Sequence, residues 1–191
     1  MDIIIEDGVL KKATGKTDLF VTPNNVKQIA EGSIGSDFFV DTFVIGDSVS
    51  EIEFGAFNFS NVRKVVFSGS YLPTKIINGE LWNTTVFCRC RELEEVVLPK
   101  TIGTRATYFY CCYPQKVYVY EETLSLLTDR VLEELFPLQH DRLYRGKAVI
   151  SVTSSYTPDV RIFSRETNKE LIHLFYKYDI PGVEPTIEYL Y

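Results

Sequence analysis

Among the residues that could do chemistry, the four cysteines stand first, arranged as Cys88-x-Cys90 and Cys111-Cys112. Thiolates bind zinc, but a structural zinc site needs a short turn between paired cysteines to aim both sulfurs at one ion. Neither of these spacings provides that turn, so no metal is expected. His140 and His173 are the only histidines. They are too scattered for a ligand set, and no Gly-x-Ser-x-Gly elbow accompanies either to suggest a nucleophile with its base. Glu92, Glu94 and Glu95, like Glu51 and Glu53, read as solvated carboxylates, whereas a glycosidase pair needs one carboxyl raised by an apolar pocket. The glycines at positions 32, 35, 46, 55, 69 and 79 are spread out and form no phosphate-cradling loop. No catalytic residue and no cofactor is expected, and the chain reads as non-enzymatic.

The aromatic residues are more suggestive. Tyr108, Tyr110, Tyr113, Tyr118 and Tyr120 fall close together, and Trp82 is the only tryptophan. Aromatic side chains offer large contact area at low entropic cost, which suits them to protein interfaces. Tyr118, Tyr120, Tyr108, Tyr110 and Trp82 are therefore the candidate partner-binding residues. In a strand, Tyr118 and Tyr120 share one face. The competing reading is that the C-terminal elements pack over them.

Composition limits the partners. Hydrophobic residues make up 45% of the 191-residue chain and charged residues 24%, the balance of a folded protein. A net charge of −6 without a basic stripe argues against binding nucleic acid. No apolar run is long enough for a membrane span. The opening Met1-Asp2-Ile3-Ile4-Ile5-Glu6-Asp7 lacks the pattern of a signal peptide, so a cytoplasmic location is expected for the chain as it stands, and a surface or secreted one if it is a processed fragment.

Positioning these residues is the task of a repeat. Phe87, Cys90, Leu93, Val96 and Leu98, closed by Pro99, follow a spacing of three, three, three and two, which is neither helical nor a plain strand. Several bends and one short strand, each sending a side chain inward, produce such spacing. The pattern recurs as Ile34, Asp37, Val40, Phe43 and Ile45, with a carboxylate where a small apolar group belongs. It recurs again in Gly55-Ala56-Phe57, Ser60, Val62, Val65 and Phe67, and in Tyr108-Phe109, Cys112, Val117 and Val119. Strand segments beginning at Val21, Val44, Val66, Val97 and Tyr118 are separated by 23, 22, 31 and 21 residues. The long interval holds an insertion within Ser70 to Thr84. Cys90 and Cys112 then share an inward ladder position, where a thiol acts as a small hydrophobe; free thiols are expected.

A period of about 22 residues with one strand each lies in the leucine-rich-repeat range. The Gly55-Ala56-Phe57 copy with Val49 and Ile52 before it, the Cys90 to Pro99 run, and Cys112 after Phe109 resemble the BspA-like leucine-rich repeats of bacterial proteins. The opening Glu6-Asp7-Gly8-Val9-Leu10 resembles the strand-turn that precedes such arrays. The resemblance implies an α/β repeat solenoid, a right-handed superhelix with short parallel strands over residues 1–120. It also implies protein contacts, at a cell surface, without naming a partner.

After Tyr120 the period stops, and residues 121–191 are expected to form a C-terminal cap. Leu124, Leu127, Val131 and Leu135 predict a helix over about 122–136, ended by Pro137, that would cover the open end of the solenoid. Strands are expected at Lys147 to Val152 and Val160 to Phe163. Thr167 to Tyr178 fits either a capped helix or the returning arm of a hairpin, with the hairpin preferred. Ile187 to Tyr191 suggests a docked last strand or a cut from something longer. The leading function is a non-enzymatic protein-interaction module. The alternatives are a scaffold for an enzymatic or carbohydrate-related site in the C-terminal region, and a spacer in a longer surface protein.

Overall fold

A computed structural model describes residues 1–73, 75–77, 80–82, 85–102, 108–110, 112, 114–128, 131, 135, 159–175 and 186–189, with side chains described for fewer in the later segments. The chain opens with a hairpin of β1 (Asp2–Glu6) and β2 (Val9–Val21), turning through Asp7 and Gly8 at φ of 50° and 77°. Positive φ at both central residues matches the right-handed twist of the two strands, and glycine makes the second position cheap.

From β2 onward the chain coils. β4 (Ile34–Ile45), β6 (Asn61–Phe67), β10 (Glu95–Val97) and β12 (Lys116–Val119) each lie parallel to the one before. The intervening bends carry β3 (Gln28–Ile29), β5 (Glu51–Ile52), β9 (Phe87–Cys88) and β11 (Phe109–Tyr110); β3 pairs in parallel with β2 and β5, and β9 with β11. The result is a β-solenoid whose coils stack in register. Within the insertion, β7 (Lys75–Ile77) and β8 (Glu80–Trp82) form a separate antiparallel pair.

The inward positions form continuous ladders. Phe20, Phe43, Val65, Val96 and Val117 lie opposite one another and are buried. On another side of the coil Phe57, Phe87 and Phe109 stack face to face, at 4.3 and 4.9 Å between centroids. Such ring columns add to area burial by their geometry. Asp37 does not occupy the inward place its spacing assigned. A bulge between Ala13 and Gly15 on one side and Ile34 and Phe38 on the other turns Asp37 out to Lys12, 3.6 Å away, and Phe38 fills the core.

Two expectations need correction. The α/β class is not what the described residues show: spacings of three build tight bends, and among the described residues almost no helix accompanies the strands. Nor is a covering helix over 122–136 shown. Glu121–Leu126 form a 3-10 helix that ends at Leu127, and beyond it only Val131 and Leu135, both buried and helical, are described. The edge of β12 is met instead by β13 (Asp159–Ser164), which adds in parallel. Backbone hydrogen bonds satisfy an exposed strand edge better than a helix laid beside it. β14 (Glu170–Phe175) returns antiparallel through a turn with Asn168 at φ 58°, so the hairpin reading applies, and β15 (Thr186–Tyr189) docks on β14. The sheet thus runs unbroken across residue 120. The expected strand at Lys147 to Val152 lies outside the described residues.

Candidate functional site

Alternation along the stacked strands sends every second side chain away from the core. Because the register is kept from coil to coil, these outward residues also form rows. One row consists of Val21, Val44, Val66, Val97, Tyr118 and Phe163, each opposite the next. Val21 is half exposed, the row is mostly partly covered thereafter, and Tyr118 stacks on Phe163 with centroids 5.6 Å apart. An apolar stripe therefore crosses the outer face of the sheet.

Beside it runs a charged row: Leu19, Thr42, Lys64, Glu95, Lys116 and Arg161. Glu95 bridges its neighbours, 2.9 Å from Lys64 and 3.4 Å from Lys116. Burial pushes the Glu95 carboxyl up, but the hydrogen bonds and charges of the two lysines outweigh it and hold the group below its usual range. A second bridge has Arg63 between Asp41 at 3.8 Å and Glu94 at 3.0 Å. Glu94 and Glu95 are therefore cross-rung ion-pair partners and not freely solvated. The Lys64 ammonium also lies 5.7 Å from the Tyr118 ring centre.

The candidate aromatics separate. Tyr118 and Tyr120 face outward and are half-buried. Tyr120 is held between Arg165, 4.3 Å from its ring centre, and Lys100, at 5.2 Å. Arg165 also donates to the Leu98 carbonyl at 3.0 Å, tying the turn after β13 to the solenoid. Tyr108 is not a surface residue: it is buried against Phe67, Phe87 and Phe109, and its hydroxyl donates to the Pro73 carbonyl at 2.6 Å. It sits one place before β11 and its inward Phe109, where the bend turns it into the core. Tyr110 is half-buried on β11. Trp82 lies on β8, His173 on β14 opposite Arg161 and Glu188, and their side chains are outside the described residues, as are Tyr113, His140 and Cys111 altogether.

A leucine-rich cell surface protein from Faecalibacterium prausnitzii A2-165 has a similar solved structure, with a TM-score of 0.46 and 22% identity over 60% of this chain. The chain spans 29% of the length of that protein. No protein-family model matches the sequence, and no curated protein does.

Cys90 and Cys112 occupy the ladder position assigned to them, both buried. Ser60 precedes them, donating its hydroxyl to the Cys90 sulfur at 3.4 Å. Among the described residues no group of three potential metal ligands converges. Sequence reasoning missed the exposed Phe39, Phe54 and Phe59. The signal available for Phe39 was its place beside the inward Phe38 and Val40, since a residue between two inward ones points out.

Proposed function

We propose that the chain is a non-enzymatic protein-interaction module of the BspA-like leucine-rich-repeat type, which engages a partner through the outer face of its sheet. The observation that carries this reading is the unbroken outward row from Val21 to Phe163, lying beside the ladder of Lys64, Glu95 and Lys116. An apolar stripe with a polar border has the anatomy of an interface, in which aromatic anchors supply energy and flanking charges set register. Tyr118 and Phe163 are the anchors. The bridged lysines are already ion-paired, which keeps the face ordered before a partner arrives and reduces the entropy lost on binding.

The test is a pull-down from lysate with the intact chain, a Tyr118→Ser/Phe163→Ser variant and a Phe54→Ser variant, each first checked for native circular dichroism. Partner recovery is expected to persist with Phe54→Ser and to be lost with the double variant. Equal recovery from all three proteins would overturn the assignment of this face.

A further inference from the structure

The thiol ladder offers a covalent site that no interaction role requires. β9 and β11 pair with Phe87 opposite Phe109 and Cys88 opposite Tyr110, an offset of 22 residues. The same offset brings Cys112 opposite Cys90, and the Cys90 amide donates to the Cys112 sulfur at 3.4 Å. Neighbouring parallel strands lie about 4.8 Å apart, inside the roughly 4.4 to 6.8 Å between Cα atoms that a disulfide spans. Both sulfurs are buried, and the Cys90 thiol donates to the Phe57 carbonyl at 2.8 Å while its sulfur accepts from the Ser60 hydroxyl at 3.4 Å.

We propose that Cys90 and Cys112 form a cross-rung disulfide when the protein meets a peroxide, locking two successive coils together. Cys90 gives up the proton it shares with the Phe57 carbonyl and its sulfur attacks a peroxide oxygen; the O–O bond breaks, and the hydroxide that leaves takes up that proton to become water. Cys90 is then a sulfenic acid. The Cys112 sulfur attacks the Cys90 sulfur, the S–O bond breaks as the S–S bond forms, and the Cys112 proton leaves with the hydroxyl as water. Altogether two thiols and one hydrogen peroxide give one disulfide and two waters, with sulfur oxidised and peroxide oxygen reduced.

Hydrogen bonding with Cys112, and after it with the Ser60 hydroxyl, holds Cys90 below the ordinary thiol range in spite of its burial, while the Cys112 thiol donates to the Tyr110 carbonyl at 3.4 Å. Burial keeps Cys112 above that range, so it retains its proton until the second step.

The experiment uses the wild-type chain and a Cys88→Ser/Cys111→Ser variant, each treated with hydrogen peroxide, denatured, alkylated, and mapped by mass spectrometry without reduction. We expect the variant to take up no alkyl group and to have an intact mass about 2 Da below that of its reduced, unalkylated form, and a linked peptide pair containing Cys90 and Cys112 in both proteins. The oxidised variant should also melt roughly 5 to 10 °C above its reduced form, because the bond closes a loop of the unfolded chain. The proposal is overturned if both thiols of the variant remain alkylatable or carry only added oxygen. It is equally overturned if the wild-type map shows Cys90 or Cys112 joined solely to other cysteines. Should the variant fail to fold, the wild-type map decides alone.

Discussion

The Arg89 guanidinium lies over the Phe59 ring, 5.8 Å from its centre, and both residues have left-handed backbone, at φ of 56° and 55°. They occupy the same place in successive coils, one residue before Ser60 and Cys90. A left-handed conformation lets the bend turn tightly enough to aim the next side chain inward. For residues other than glycine it carries a steric cost of about 1 to 2 kcal/mol.

Phe59→Gly should therefore change stability by less than about 1 kcal/mol, since relief of strain offsets the lost cation–π contact. Phe59→Val, with a branched Cβ at the same φ, should destabilise the fold by roughly 1 to 3 kcal/mol. Urea unfolding of the two variants beside the wild type checks this. A valine variant as stable as the glycine variant would show that backbone strain is not the deciding term.

Glu95 predicts a pH window. Its folded-state value is depressed by Lys64 and Lys116, so its contribution is present above the unfolded value and is lost as pH falls through the folded one. The stability gap between wild type and Glu95→Gln should be about 1 kcal/mol at neutral pH and should close progressively below about pH 4.5. Denaturant titrations of both proteins between pH 3 and 8 measure it. A gap that widens towards acid would contradict the ion-pair ladder.

Tyr108 titrates in the opposite sense. Burial pushes its phenol well above the usual tyrosine range, so its stabilising contribution is complete below the unfolded value and is lost as pH rises towards the folded one. In an ultraviolet titration one tyrosine should stay protonated past about pH 10 until the chain unfolds, and Tyr108→Phe should abolish that late step. The same variant should lose about 1 to 2 kcal/mol, because the Pro73 carbonyl is left without its donor.

The coil was legible wherever local spacing alone decides which side chains turn inward. Phe87, Cys90, Leu93, Val96 and Leu98 are all buried, as are Ala56, Phe57, Ser60, Val62, Val65 and Phe67. Spacing could not show that a bulge would expel Asp37 in favour of Phe38, because a bulge depends on the partner strand. Nor could it show β13 joining β12: the two are far apart in sequence, and their pairing rests on an unsatisfied edge and not on any local pattern. The outward row was legible only on β12, through Tyr118. Its remainder emerges from register, which holds Val21, Val44, Val66 and Val97 in line.

The interval between β6 and β10 is longer than the others, yet Val65 still meets Val96 and Val66 still meets Val97. The additional residues leave the winding to form their own antiparallel pair, β7 and β8. Sequence can therefore be lengthened or exchanged at this corner without shifting the register in which β6 meets β10.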